Sequence, residues 1–417
     1  MNIEIIAIGN ELLLGNIANT NAAYMSKELA KKGLQIKRHT VLPDDEHEME
    51  EGLKQAWQRS EVVLLTGGLG PTCDDVTRKV LAKFFHSGFV YSEEIAKELQ
   101  KRFGDKLGSI QDQATILDKA KVLPNQIGTA PGFLFTEDNK ILASMPGVPL
   151  EMKKMFIDFV LPLLVKKYEK EEKQVESHFH VCLLIENTVD PFLRELQAKY
   201  SDVSAGIYPS TGTLSIHFSS KNKQSLEECK KLFLQMFEKY VFSTTSERIE
   251  EALYIEMKKK GKTLAIAESC TGGAIGARIT SLSGASDYFL GSLVTYANDW
   301  KEKFLHVNKQ TLDTKGAVSK ETVFEMIQGL LQETSADYVI AVSGTAGPLG
   351  GTPEKPVGGV WLGICKRGET PEIAHFRFPG NREVITACSV NYLLGGLWRK
   401  VAFSTNSFDK ETLCLMS

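Results

Sequence analysis

No CxxC pair occurs among the seven cysteines of this 417-residue chain, which fall at 73, 182, 229, 270, 365, 388 and 414. That spacing argues against a zinc site or a thioredoxin-like redox motif, and scattered, odd-numbered thiols fit a reducing compartment. No run of 18 consecutive apolar residues occurs either, so no transmembrane helix is expected. The opening Met1-Asn2-Ile3-Glu4 lacks the basic region of a signal peptide, and the expected location is the cytoplasm. Charge of one sign is also scarce: 49 Lys+Arg against 52 Asp+Glu leave −3. Neither a broad nucleic-acid surface nor attachment to an anionic membrane is expected from that balance.

With 42% hydrophobic and 24% charged residues the composition is that of a globular protein. At roughly 150 residues per domain the length allows two or three domains. The first 165 residues alternate strands and helices. Ile3–Ile8, Val62–Thr66 and Ile141–Met145 are short apolar runs, the pattern of parallel strands buried on both faces. Between the first two lies a helix, capped by Asn19 or Asn21, apolar at Ala22, Met25 and Leu29, and stopped by Gly33. Repeated strand–loop–helix units predict a doubly wound sheet with ligands beyond the carboxyl ends of its strands.

Lys166–Ser177 is charge-dense and reads as a helix end or linker. A small α+β unit follows, with strands at Val181–Ile185 and Thr213–Phe218 and helices at Pro191–Lys199 and Leu226–Tyr240. Thr244-x-x-Glu247 has the form of a capping box. Beyond it a second α/β pattern begins at Thr263–Ala267 and continues through Val339–Val342 and Gly359–Ile364.

The segment richest in chemistry is Glu268-Ser269-Cys270-Thr271-Gly272-Gly273, between a strand and a helix starting near Ala274. Paired glycines admit close backbone approach, and free N–H groups at a helix start attract an anion or a developing oxyanion. The motif is neither a P-loop nor GxSxG; alone, it reads first as a helix cap with a glycine turn. A serine nucleophile needs a base, and the closest downstream histidine is His306. Tyr296-Ala-Asn298-Asp-Trp-Lys301 offers a tyrosine and a lysine instead, which sequence spacing alone leaves as a packing residue and a solvated charge. Ser343-Gly344-Thr345-Ala346-Gly347-Pro348 is a further glycine-rich loop, and Arg382 can pair with phosphate.

Near the amino terminus, Gly67-Gly68-Leu69-Gly70-Pro71-Thr72-Cys73-Asp74-Asp75 joins a phosphate-cradling loop to two carboxylates, and Glu11 can project into the same cleft. Carboxylates beside hydroxyls suit Mg²⁺ held partly by substrate phosphates, although Thr72 or Asp74 can equally cap a helix. Cys73 and Cys270 have no evident base and read as small filler residues.

Taken together the motifs resemble the CinA family over essentially the whole chain. They are IGNELLLG (8–15), NTNAAY (19–24), TGGLGPTCDDVT (66–77), GTAPGF (128–133), MPGVPLEM (145–152), AESCTGG (267–273), VTYANDWK (294–301), GAVS (316–319), SGTAGPLGG (343–351) and EKPVGG (354–359). The resemblance implies two three-layer α/β domains joined by a small α+β unit. Residues 1–168 would be molybdopterin-binding-like, as in MogA and MoeA, and associated with metal-dependent hydrolysis of ADP-ribose. Residues 169–245 would be KH-type, without the GxxG loop of RNA binders. Residues 246–417 would be a nicotinamide-nucleotide amidohydrolase, converting NMN and water to nicotinate mononucleotide and ammonia.

The family's catalytic trio corresponds to Ser269, Tyr296 and Lys301, with Lys301 and Tyr296 handling the serine proton. Substrate contacts would come from Thr271, Gly272, Gly273, Asn298, Gly344, Thr345, Gly347 and Arg382 in the last domain, and from Gly67, Gly68, Gly70 and Thr72 in the first. The N–H groups of 271–273 would hold either an oxyanion or the nucleotide phosphate. Glu11, Asp74 and Asp75 would hold a divalent metal, Mg²⁺ or a transition metal, while the deamidase needs none. Two departures stand out: Asn10 replaces a frequent aspartate, removing one metal ligand, and Ser343-Gly344-Thr345 replaces the usual TGI. A homodimer is the expected assembly. The other class of reading is a non-catalytic molybdopterin-binding or regulatory scaffold, because fold does not fix function.

Overall fold

The computed structural model describes residues 2–70, 75–104, 110–168 and 175–408. The chain forms two compact units, residues 1–173 and 174–417.

The first unit is built on a six-stranded sheet in the order Ile36–Leu42, Ile3–Ile8, Val62–Thr66, Lys140–Met145, Gly132–Glu137, Lys121–Leu123. Its first four strands are parallel, and the last two join antiparallel. Alternate residues of Ile3–Ile8 feed opposite faces. Ile3 and Ile5 enter a core with Met25, Leu29 and Phe156; Ile6 and Ile8 enter one with Leu53, Val80 and Phe85. Helices thus cover both faces, which is why the strand reads as an unbroken apolar run. The first long helix is Thr20–Ala30, and of its two possible caps Asn19 is the one used, accepting from the Ala22 N–H at 3.0 Å. Asn21 turns inward instead and donates to Thr66 Oγ1 and the Gly147 carbonyl.

The second unit holds two sheets. One is antiparallel, ordered Ser204–Ser210, Thr213–Ser220, Val175–Cys182, Val241–Ser243. Phe179 and Phe218 pack on Phe233 of the helix Lys223–Phe237. The strand expected at Val181–Ile185 in fact starts at Val175 and stops at Cys182, because Leu183 takes a positive φ of 62° and leaves the ladder. The helix expected from Pro191 starts at Glu186 and carries Pro191 inside it. The capping box at Thr244–Glu247 is not used. Ser243 Oγ accepts from the N–H groups of Thr245 and Ser246, and the helix begins only at Ile249. The KH-type likeness of this segment rests on the sequence resemblance alone.

The other sheet has the order Phe289–Val294, Leu264–Glu268, Tyr338–Gly344, Gly359–Lys366, Glu372–Arg377. Its first three strands are parallel and its last two antiparallel. Ala265, Ala267, Val339 and Ala341 face a core with Val323 and Ile327 of the helix Lys320–Glu333. Leu264, Ile266, Ile340 and Val342 face Leu393 and Leu397 of the helix Arg382–Phe403. That second core runs on into the four-stranded sheet, taking in Phe179, Val181 and Cys182. The middle and last segments, separable by sheet, therefore share one hydrophobic core. No helix among the described residues is long and apolar enough to cross a membrane.

Candidate active site

Three parallel strands of the five-stranded sheet end side by side. Leu264–Glu268 lies between Phe289–Val294 and Tyr338–Gly344, so the order reverses there. A doubly wound sheet opens a crevice at such a point. Ser269 follows the first strand, Thr295 and Tyr296 follow the second, and Ser343 and Gly344 finish the third.

Lys301, on the helix Asn298–Leu305, is fully buried. Its Nζ lies 3.0 Å from Ser269 Oγ, 2.7 Å from the Thr295 carbonyl and 3.1 Å from the Tyr296 carbonyl. None of these partners is a carboxylate. Desolvation therefore acts against the ammonium form and lowers the pKa to about 8. An uncharged amine fits the geometry group for group: two N–H bonds for the two carbonyls, and a lone pair for the Ser269 hydroxyl proton. The neighbouring Cys270 thiol is pushed by burial up to about 12, which keeps it protonated and inert.

The loop after Ser269 differs from expectation. Glu268 ends the strand fully buried, and its carboxylate accepts five hydrogen bonds. The donors are Thr271 Oγ1 at 2.7 Å, the N–H groups of Gly273, Ile275 and Gly276 at 3.0, 3.1 and 2.9 Å, and Ser292 Oγ at 2.9 Å. The Gly272 N–H donates to the Ser269 carbonyl at 3.1 Å. The N–H groups of Gly272 and Gly273 and the Thr271 hydroxyl are thus engaged inside the protein, which corrects the expectation that they stand open to an anion. Among the described residues, the N–H of Thr271 has no hydrogen-bond acceptor and that of Cys270 none beyond its own sulfur.

Ser269, Lys301 and Tyr296 line a common cleft of about 210 Å³, together with Gly344, Thr345, Gly347 and Arg382. The Tyr296 side chain is 61% exposed, and its hydroxyl makes no hydrogen bond among the described residues. What Tyr296 gives to Lys301 is its backbone carbonyl. Asn298 starts the lysine helix, is exposed and stands outside the residues lining the cleft. Arg382 Nε donates to the Gly347 carbonyl at 2.6 Å. Ser343, buried in the cleft wall, donates to the Ala317 carbonyl at 2.7 Å. Sequence reading missed Glu268 and its partner Ser292. The available signal was a glutamate closing the apolar run Leu264-Ala-Ile-Ala267, since a buried charge demands partners.

In the first unit, Gly67 and Gly68 follow the strand Val62–Thr66 at φ 113° and 65°. A Cβ on Gly67 would lie 2.3 Å from the Ile8 carbonyl oxygen, so only glycine brings the two strand ends this close. Thr77 Oγ1 donates to the Gly67 carbonyl at 2.9 Å. The Asp75 carboxylate lies against Gly70, and Glu11 folds back on Gly9. Thr72, Cys73 and Asp74 lie outside the described residues. Among the described residues no three metal-ligating side chains cluster. Glu11 and Asp75 therefore do not make a metal site by themselves.

Comparison with known proteins matches residues 246–401 to the "CinA C-terminal domain" and residues 4–166 to the "Probable molybdopterin binding domain". The CinA-like protein of Dictyoglomus thermophilum is 36% identical over 414 residues, covering 95% of this chain and 99% of its own. The CinA-like protein of Thermosipho melanesiensis is 36% identical over 387 residues, covering 91% and 94%. The solved structure of competence damage-inducible protein A from Klebsiella pneumoniae is 35% identical, with a TM-score of 0.36, over 38% of this chain and 99% of that one. With relatives 36% identical and matched nearly end to end, the chain belongs to the CinA family.

Proposed function

We propose that the second unit hydrolyses the carboxamide of NMN to nicotinate mononucleotide and ammonia. The observation that carries this reading is the buried Lys301 amine, 3.0 Å from Ser269 Oγ with two carbonyls orienting it. Ser269 Oγ attacks the carboxamide carbon while its proton passes to Lys301 Nζ. The oxygen of the tetrahedral adduct takes the N–H groups of Cys270 and Thr271 as donors. Lys301 returns the proton to the departing nitrogen, ammonia leaves, and water hydrolyses the acyl-serine by the reverse proton path. Tyr296 serves through its carbonyl and through a ring exposed at the cleft. No metal is needed. Ammonia release from NMN tests the proposal, and Ser269→Ala should lower it by at least ~10³-fold with the melting curve unchanged. A fully active Ser269→Ala protein would falsify the nucleophile.

For the first unit the reading is ADP-ribose hydrolysis to AMP and ribose phosphate. It is supported by the turn Gly67–Gly68 at the ends of adjacent parallel strands, where the Gly67 N–H is held by the Met145 carbonyl at 3.1 Å and the Gly68 N–H is the donor left for a pyrophosphate among the described residues. A divalent ion would supply charge neutralisation on the pyrophosphate, whose own oxygens would have to complete a coordination that Glu11 and Asp75 do not. AMP formation should stop on chelation and in Asp75→Ala; equal rates in chelator remove the metal from the reaction. A homodimer remains the assembly we assign to the chain.

A further inference from the structure

The second unit holds another polar cavity, away from the serine cleft. It lies between the four-stranded sheet and the helices Ala274–Thr280 and Arg382–Phe403. Its volume is about 230 Å³, against 210 Å³ for the cleft, and the two share no lining residue. The sheet gives one wall through Ser210 and Thr213, which pair across a hairpin. The turn between them, Thr211-Gly212, is clamped to the long helix. Asn391 Nδ2 donates to the Thr211 carbonyl, and a Cβ on Gly212 would lie 3.2 Å from Cys388 Cα.

The opposite wall carries charge. Arg248 and Arg278 share Oε1 of the fully buried Glu250, at 2.8 and 2.9 Å. Arg248 uses its other nitrogens on Ser281 and Glu251. Arg278 does not. Its Nε is fixed by Glu250, while its two terminal nitrogens have no partner among the described residues. A guanidinium held at Nε and open at the other two suits a phosphate.

The remaining lining is unlike that of a simple anion hole. The Ser210 and Thr213 hydroxyls have no partner among the described residues. Asn391 is 7% exposed, and its Oδ1 is left without one. A buried acceptor in that state is destabilising unless something bonds to it. Glu247 also lines the cavity. A bare anion would leave both acceptors unused and would meet the Glu247 carboxylate. A neutral sugar would leave the guanidinium unused. A sugar phosphate matches both ends, because its O–H groups suit the carboxylate and amide acceptors and its phosphate suits the fork.

We infer that this cavity binds a small phosphorylated sugar, with the phosphate on Arg278 and the hydroxyls toward Asn391 and Glu247. The inference stands apart from the deamidase reading. It does place the ligand on the helix that holds the serine loop, since the N–H groups of Ile275 and Gly276 bind Glu268 beside Ser269.

Calorimetric titration of the full-length protein tests it, with ribose 5-phosphate, ribose and inorganic phosphate as probes. Ribose 5-phosphate should bind at least about tenfold more tightly than either of the others. Arg278→Ala should weaken it at least about tenfold, the scale of a charge-assisted pair. Thr213→Val should weaken it roughly threefold. That variant cuts no ion pair and keeps a β-branched strand residue, so it reports on the cavity even if Arg278→Ala disturbs the packing around Glu250. Arg382→Ala, in the serine cleft, should leave the affinity unchanged. Unaltered affinity in both Arg278→Ala and Thr213→Val overturns the inference, as does a loss confined to Arg382→Ala, which moves the ligand to the serine cleft. Inorganic phosphate bound as tightly as ribose 5-phosphate removes the sugar from the site. If no probe binds, the cavity holds only water and the inference falls.

Discussion

At the scale of the residue, Lys301 is the group on which the proposed chemistry rests. Its ordinary pKa of 10.5 falls to about 8 because burial disfavours the ammonium and no carboxylate offsets it. The base form gains as pH rises, so kcat/KM for NMN should climb through pH 8 and level above it. Stability moves in the same direction. Between about 8 and 10.5 the unfolded chain binds more protons at this lysine than the folded one, so the group's contribution to stability rises with pH across that window. Lys301→Met should abolish turnover, while its unfolding temperature at pH 7 should hold or rise, since the variant no longer buries an ammonium. A pH–rate profile flat from 7 to 9 would remove Lys301 as the base. None of this could be read from residue 301 as a letter. Spacing alone favoured a solvated helix lysine, and only the resemblance to a family raised it. The burial that lowers its pKa comes from strands and helices distant in sequence.

At the scale of the element, the lysine helix depends on a glycine in another helix. Asn298–Leu305 ends against Lys320–Glu333, and a Cβ on Gly329 would lie 1.8 Å from the Leu305 carbonyl oxygen. Backbone on the other side cannot yield as a side chain would. Gly329→Ala should therefore cost about 1–3 kcal/mol in a denaturant melt. It should also lower NMN turnover roughly tenfold, because a shift of an ångström at Lys301 spoils its contact with Ser269. Unchanged stability and unchanged rate would show that the helices can part without cost. The elements themselves were largely legible. Ile3–Ile8 and Val62–Thr66 appear as read because strands buried on both faces leave an apolar run. The Thr244 box failed because Ser243 Oγ takes the N–H groups of Thr245 and Ser246 in a turn of its own and the helix starts only at Ile249, a local choice that the motif does not encode.

At the scale of the whole molecule, the second unit should behave as one body. The helix Arg382–Phe403 sits on both sheets. Asn391 Nδ2 donates to the Thr211 carbonyl at 2.5 Å, and a Cβ on Gly395 would meet Cys182 Cβ at 3.0 Å. A fragment spanning 246–417 would uncover Ile249, Leu394 and their neighbours where the four-stranded sheet now covers them. It should melt several degrees below a 174–417 fragment, and the longer fragment should unfold in a single calorimetric transition. Two separated transitions in 174–417 would mean that the shared core does not couple the sheets.

The sequence by itself determined the class of the molecule: α/β at both ends, loops rich in glycine after strands, and ten ordered motifs of one family. Those are properties of short segments, set by hydrophobic period and turn chemistry. Tertiary structure alone decided what the segments do to one another. It buried Lys301 beside Ser269, turned Tyr296 outward, and put Glu268 where the motif seemed to await a phosphate. The physical reason is that burial, and with it the energy of a charge, is a property of the packed whole and of no single stretch of chain.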